Sequence, residues 1–591
     1  MKAAKSTAFW IVLSLAVLTA GCARVAVKPE LTFGPSESRW VERTLRKMSL
    51  EEKIGQMITL RCYGRFVNRD SQYFQEIRSL ILEQNVGGFI FFAGDVFETA
   101  HLANSFQRVA KYPLLMAADF EWGSGYRIEG ATLFPPLMSL GAIGSEELSY
   151  LMGKVTAQEG RAMGIHVTFA PVVDVNINPE NPIINVRSFG ENPEEVSRLA
   201  GAFIRGCQEN GLIATAKHFP GHGDTDLDSH SVLPTIGGDR IRLEEVELYP
   251  FKKAIEAGVQ MIMSAHIRLP ALDSAPDMPA TLSHPILTDL LRLKLGFKGI
   301  IVTDALDMGG ITTLCSPEES AMRAVKAGAD VILLPPKPKE VIDALAQAVR
   351  DDQIPEKRID DSVRRILQAK ARVGLHRKRE VALESLDAKI ASRKNLKAAA
   401  EAFDSSMTLV RNDGDVLPLA YKGKKIAVFS LSSDPGGYFD GMTFIEEVKK
   451  RCTDAVEFFA DAFTGEEFIQ KAVEKAKDAD VLIFALFSRL QDRKGSVGLN
   501  PRHIQLIKDA CALSVPVVVT SFGSPYFLRH FPGADVYLCA YRAVDQAQMS
   551  AAWAIFGEIN VSGRLPVSIP GLYPPGHGLA LLKEVKSEKQ E

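Results

Sequence analysis

The chain is short of several things at once, and each shortage removes a class of function. Charge of one sign is missing: 69 lysines and arginines face 72 aspartates and glutamates, a formal net charge of −3. Such a balance offers no surplus of cations to release phosphate counterions, so no nucleic-acid partner is expected. No block of like charge is long enough to serve as an interaction tail, and the closing KEVKSEKQE mixes signs. Cysteine is scarce, seven in 591 residues, with no CxxC pair. Six of them, Cys62, Cys207, Cys315, Cys452, Cys511 and Cys539, lie far apart in mostly apolar surroundings. They read as buried free thiols, even in an exported protein where disulfides are able to form. No HExxH occurs, and the glycines of DPGGYFDGM (434–442) have the wrong spacing, with no following lysine, to cradle a phosphate.

Long apolar runs are absent except at the start. Lys2 and Lys5 precede AFWIVLSLAVLTA, which ends in Gly21-Cys22. The run is shorter than the ~20 apolar residues a membrane helix needs, and its basic flank and small-residue end read as an export signal. LTAGC resembles the lipobox of bacterial lipoproteins, although Thr19 stands where leucine is commonest and Leu18 is one place early. That resemblance implies a leader over 1–22, lipidation at Cys22 and a membrane anchor. Ala23 does not look like a retention signal, which points to an outer membrane where one exists. A polar tether over 23–37 follows.

What remains is an ordinary globular composition, 46% hydrophobic and 24% charged, in a chain too long for one core. Short apolar runs alternate with amphipathic helical patterns. Strands are expected at 55–60, 87–92, 114–119, 167–174, 214–219, 261–266, 300–305 and 331–336, with helices between them such as 194–211. Continuous apolar runs suit parallel strands buried on both faces. Eight of them with intervening helices predict an α/β fold, a (β/α)₈ TIM-like barrel over 38–375. Charged residues 376–403 read as a helical linker. The α/β alternation then restarts over 404–575, with strands at 424–431, 479–487, 515–523 and 534–541, as a smaller α/β domain, before a polar tail at 576–591.

Five expected barrel strands end in polar residues: Asp119, Asp174, Lys217 with His218, His266 and Asp304. The carboxyl ends of barrel strands converge on the face where active sites sit. The densest chemistry follows one of them, in KHFPGHGDTDLDSH (217–230). A metal site is disfavoured there, because Pro220, Gly221 and Gly223 break the helix that would put His218 and His222 on one face; no cofactor is called for. A solvated loop accounts for the glycines and aspartates but not for a lysine ending a buried strand, where it needs a cavity or a carboxylate. In an extended loop Asp228 and His230 project to one side, so the carboxylate orients an imidazole able to give and take protons. Asp304, rigid at the end of its strand, supplies a nucleophile. A carboxylate nucleophile with an acid–base group is the plan of a retaining glycosidase, with histidine replacing the usual second carboxylic acid. Asp307 and His222 read as structural, Asp307 as a helix cap, and Glu121 as a loop residue. The glycines are expected to let the Asp228–His230 segment swing.

These stretches resemble glycoside hydrolase family 3, within it the bacterial β-N-acetylglucosaminidases that act on cell-wall fragments. KHFPGHGDTDLDSH, VTDALDM, RAMGIHVTFAPVVDV, NPIINVRSFGENP and ATLFPPLMSLGA occur in that family's order, while SMTLVRNDGDVLPL and GEINVSGRLPVSIPG resemble the two ends of its α/β sandwich. The resemblance implies Asp304 as nucleophile, Asp228 and His230 as acid–base dyad, and Asp119, Arg187, Lys217 and His218 as groups binding N-acetylglucosamine. It also implies a structural second domain that lines the cleft. ADFEWGSGYR (118–127) departs from the family's usual Asp-Gln-Glu-Gly-Gly run, so Phe120 and Trp122 are expected to reshape the pocket edge. The implied reaction is removal of terminal β-N-acetylglucosamine from peptidoglycan fragments. Two alternatives stay open: phosphorolysis by the same dyad, since a neutral histidine repels phosphate less than a carboxylate does, and glycan binding without catalysis.

Overall fold

A computed structural model describes residues 34–488 and 498–583; the leader and Cys22 lie outside them. The first described helix, Pro35–Leu45, carries proline at its first position, where the ring's fixed φ suits a helix start. Part of the stretch expected as tether is therefore already helix.

The barrel strands are β1 (Ile58–Gly64), β2 (Gly88–Asp95), β3 (Leu115–Ala118), β4 (Val167–Thr168), β5 (Ile213–Phe219), β6 (Met261–Ser264), β7 (Ile300–Val302) and β8 (Ile332–Leu333). They pair in parallel in the order β7-β6-β5-β4-β3-β2-β1-β8, and the short strand Ile128–Glu129 pairs with β2. A bridge between Val302 and Val331 brings the two ends of this order together, giving the expected (β/α)₈ barrel. Two runs differ from expectation. GQMITL is helical up to Gln56, because Ser49 and Glu52 form a capping box that starts a helix there. VTFAPVVD forms a regular strand over two residues only; Pro171 has no N–H to give, and beyond it the run keeps a single bridge, Val172 to Lys217.

The seam is held by charge. Asp330, fully buried, receives the Ile301 N–H at 3.0 Å, Arg292 at 2.7 Å, Ser362 at 2.7 Å and Arg365 at 2.9 Å. Burial alone would raise its carboxyl pKa, but Arg292, Arg365 and Arg358 hold it below the usual value.

Residues 376–403 are not one helix. Only Arg393–Ser406 is α-helical; the first half lies along the barrel, with Val381 and Asn104 exchanging hydrogen bonds of 2.8 and 2.9 Å. A strip making backbone bonds to its neighbour has fewer groups left for an internal helical ladder. Beyond it lie β9 (Thr408–Asn412), β10 (Ile426–Ser432), β11 (Val456–Ala460), β12 (Val481–Phe487), β13 (Val517–Ser521) and β14 (Val536–Cys539). Their order is β9-β14-β13-β12-β10-β11, with only β9 antiparallel. Strand periodicity divides the apolar residues between two cores: Phe429, Leu482, Phe484 and Leu486 face one side, Val428, Val481, Ile483 and Ala485 the other. The first of these cores includes Met138, Ala142 and Val186 of the barrel. The segment expected as polar tail returns to this domain instead, with Leu579 bridged to Leu409 and Leu581 to Val561. Its alternate leucines find an open sheet edge.

Removing a buried ion strands the charges of its partners, at a cost of ~3–5 kcal/mol. Asp330→Ala is therefore expected to lower stability by about that amount, measured as a shift in the urea midpoint. Because the folded-state carboxyl is depressed, the contribution is full above pH ~3.9 and is lost as pH falls through the lower folded value.

Candidate active site

A cavity of ≈ 430 Å³ opens where the strands end, lined by Asp119, Glu121, Arg187, Lys217, His218, His230 and Asp304 among others. The structure thus brings the expected groups to one cavity, with Asp228 behind His230. Ile90, Phe92, Met263, Leu333 and Leu334 form an apolar part of the lining. Such a mixture suits a sugar, which has apolar faces and a rim of hydroxyls.

One wall is an ionic cluster. Lys217, 3% exposed, places its ammonium 3.0 Å from Asp119 and 2.7 Å from Glu121. Arg187 grips the same Glu121 through both carboxylate oxygens, at 2.9 and 2.8 Å, the strong bidentate form of the pair. Arg127 approaches Asp119 at 3.4 Å. Burial would raise the Glu121 pKa, but Arg187 and Lys217 hold it well below the usual carboxylate range. Burial likewise works against charge on Lys217, and Asp119 and Glu121 reverse it, so its pKa is raised. Glu121 is therefore no idle loop residue. It is the counter-ion for two of the expected sugar-binding cations, and no spacing rule pointed to it.

The loop that carries Glu121 is shaped by another buried carboxylate. Glu159 accepts from Ser124, from the Thr132 N–H at 2.9 Å and hydroxyl at 2.6 Å, and from Ala391 and Asn395 of the connecting strip. The second domain contributes to the same side: Arg542 lies 3.8 Å over the Trp122 ring, a cation–π contact. It also braces the segment bearing Arg187, through Tyr526 to Asn176 at 2.9 Å and Ser568 to Glu191 at 2.8 Å.

The second wall is built on Asp174, fully buried. It accepts from the His218 backbone, from His218 Nδ1 at 2.8 Å and from the His222 backbone at 2.8 Å. With Nδ1–H committed, Nε2 is the His218 atom available to a ligand. Asp174 stood out in the sequence only as a polar strand end; its role depends on where the next strand brings the two histidines.

Asp304 follows β7 and accepts the Ala305 N–H at 2.8 Å. Burial would raise its pKa, but His266, His218 and His230 around it keep it below the usual value, so it is a carboxylate at neutral pH. His266 is fixed between Ala305 O and Thr281 Oγ1, both at 2.9 Å. Asp307 is not a helix cap: the short helix that follows has Met308 at its cap, and Asp307 pairs with Arg61 at 3.0 Å on the cavity lining. Helix-capping was read from position, and the pairing across to β1 exists only in the closed barrel.

Asp228 Oδ1 accepts both the His230 N–H at 2.8 Å and His230 Nδ1 at 2.9 Å. The two meet in a turn, not in an extended loop: Ser231 and Val232 both donate to the Asp228 carbonyl, and the bond from the His230 N–H to Asp228 Oδ1 is an Asx turn. Nε2 is then the nitrogen through which His230 could exchange a proton. The glycines before it serve close packing more than swing. Gly221 has φ +133°, and a Cβ on Gly223 would stand 1.7 Å from the Val175 carbonyl. The Asp228–His230 pair is also tied to the segment just after Asp304, since Gly309 and Gly310 donate to the carbonyls of His230 at 3.0 Å and Ser229 at 3.2 Å.

Glu121→Gln removes the charge that balances Lys217 and Arg187. It is expected to lower kcat/KM for a cognate sugar by about 100-fold, ~2.7 kcal/mol, with Glu121→Asp retaining more activity; steady-state kinetics measure both.

The family model described as glycosyl hydrolase family 3 N terminal domain matches residues 49–369, and that described as the family's C-terminal domain matches 407–581. Beta-hexosaminidase A of Pseudoalteromonas piscicida is 37% identical over 376 residues, which cover 58% of this chain and 62% of that protein. The match thus spans less than two thirds of that relative. A beta-N-acetylglucosaminidase/beta-glucosidase of Cellulomonas fimi is 28% identical over 89% of this chain and 95% of its own. Among solved structures, a glycoside hydrolase family 3 beta-N-acetylglucosaminidase of Paenibacillus sp. superposes with a TM-score of 0.80 at 33% identity, covering 88% of this chain and 99% of that one. A beta-glucoside phosphorylase superposes at 0.82 and 27% identity, covering 91% and 97%. With both domains matched in order, this chain belongs to glycosyl hydrolase family 3.

Proposed function

We propose that the protein is a retaining β-N-acetylhexosaminidase that removes terminal β-N-acetylglucosamine, with peptidoglycan fragments carrying N-acetylglucosamine on N-acetylmuramic acid as its substrates. The observation that carries the reading is the carboxylate of Asp304 lining one cavity with His230, which Asp228 holds from behind. The names of the relatives in both comparisons support the sugar.

In this mechanism Asp304 attacks the anomeric carbon while His230 Nε2–H gives its proton to the departing oxygen. The glycosidic bond breaks, and a glycosyl ester forms on Asp304. His230, now neutral, takes a proton from water, which attacks the same carbon and releases Asp304 as carboxylate. Asp228 holds the imidazole in one tautomer through both steps and stabilises its cationic form. Asp119, Arg187, Lys217 and His218 hold the sugar's oxygens, and the Glu121 cluster keeps those groups in place. In the same reading the leader of residues 1–22 exports the enzyme and Cys22 anchors it to a membrane of the cell envelope.

Phosphorolysis is the competing reaction, and the likeness to a beta-glucoside phosphorylase is the observation on its side. Hydrolysis of an aryl β-N-acetylglucosaminide by the purified protein, with and without phosphate, separates the two. Turnover independent of phosphate is expected. Asp304→Ala should lose at least about 10³-fold, ~4 kcal/mol, and His230→Ala between ~10² and ~10⁴-fold. A phosphate requirement with a sugar 1-phosphate product would replace hydrolysis by phosphorolysis. Absence of turnover on aryl and muropeptide substrates alike would leave a glycan-binding protein.

The ionisation of Asp304 sets a pH expectation. Its folded pKa is depressed, so the nucleophile is silenced only below pH ~3.9. Any acid-side loss of kcat/KM above that pH belongs to another group and should persist in Asp304→Glu.

A further inference from the structure

We propose that His222 is a positioning residue for the acid–base dyad: its imidazole grips the Ser229 hydroxyl and thereby sets where Asp228 and His230 stand relative to Asp304. The proposal rests on His230 being the acid–base group.

His222 Nε2 lies 2.9 Å from Ser229 Oγ, and Ser229 is the single residue between Asp228 and His230. Both partners are almost wholly buried, at 1% and 2% exposure, so water does not compete for the bond. His222 is itself a fixed post. Its N–H is held by Asp174 at 2.8 Å and its carbonyl by Asn181 at 2.9 Å, while Gly221 and Gly223 seat the chain too closely for any other residue on either side. Because Asp174 also holds His218, one carboxylate indexes a sugar-binding group and the dyad's anchor together.

Ser229 is gripped from the opposite side as well. Its carbonyl accepts from Gly310 N–H at 3.2 Å, and a Cβ on Gly310 would stand 3.0 Å from that oxygen. The side-chain bond therefore ties the dyad to the sugar-binding wall, and the backbone bond ties it to the segment just after Asp304. Between those two ties the place of the His230 ring is decided.

The imidazole's state fits this task. Burial, with His218 beside it, pushes the His222 pKa down to about 4, so it is neutral wherever the enzyme works. Its Nδ1 is buried with no partner among the described residues. A proton placed there would have no acceptor, so the proton belongs on Nε2, where Ser229 Oγ accepts it. A neutral N–H donor holds Ser229 without adding positive charge beside His230.

Proton transfer depends steeply on donor placement, and this gives a signature that mere loss of stability does not. The enzyme is assayed on aryl and alkyl β-N-acetylglucosaminides whose leaving groups range from dinitrophenol, which needs no proton, to a simple alcohol, which does. His222→Leu and Ser229→Ala are expected to lower kcat/KM by about 10-fold or more on the poor leaving groups and by less than about 3-fold on dinitrophenol. His222→Gln, whose amide can place a donor near Nε2, is expected to restore much of the loss. Thermal melts accompany each variant, and Ser229→Ala, which deletes one hydroxyl, carries the test if His222→Leu fails to fold. Equal losses across all leaving groups, or none in Ser229→Ala, would overturn the proposal. A wild-type enzyme inert on every glycoside would instead overturn the glycosidase reading.

Discussion

A lysine can end a buried barrel strand only if carboxylates come with it, and the charged wall of this cavity is organised around that requirement. Lys217 sits between Asp119 and Glu121. Glu121 then has charge to spare for Arg187, which it takes in a bidentate grip. The segments following β3 and β4 and the strand β5 are thereby locked by one cluster. Loosening any member leaves an uncompensated buried charge, so the geometry of the wall is cooperative.

The rest of the site depends on that wall being rigid. Glu159 fixes the loop that bears Glu121 and couples it to the strip leading into the second domain. The second domain in turn braces the Arg187 segment through Asn176 and Glu191 and covers Trp122 with Arg542. It contributes position more than chemistry, in keeping with the acid–base role proposed for a barrel loop. That loop is no loose flap in this structure. Its glycines admit close backbone approach, and its dyad is bonded on one side to His222 and on the other to Gly309 and Gly310.

Much of this was legible in the residues. Eight apolar runs with helices between them specify a barrel because parallel strands buried on both faces have little room for anything else. The polar residues closing those runs marked the working face, and Asp228-Ser229-His230 announced a carboxylate beside an imidazole. Other readings depended on local context and changed. VTFAPVVD is a regular strand over two residues only, with a single bridge beyond Pro171, and the charged strip after the barrel is α-helical only from Arg393, its first half bonding to the barrel instead. Glycine marks both freedom and crowding in a sequence, and only the neighbours of Gly221 and Gly223 tell which applies.

The sequence by itself therefore determined the architecture and the residue types of the chemistry, because periodicity and strand-end polarity are properties of neighbouring positions. Which carboxylate serves which cation was decided only by the tertiary structure. Glu121, in the loop after β3, and Lys217, in β5, are 2.7 Å apart, Asp307 finds Arg61 across the closing barrel, and His222 turns to Ser229 instead of to a ligand. Charge pairing acts over a few ångströms of space, and distance along the chain does not encode it.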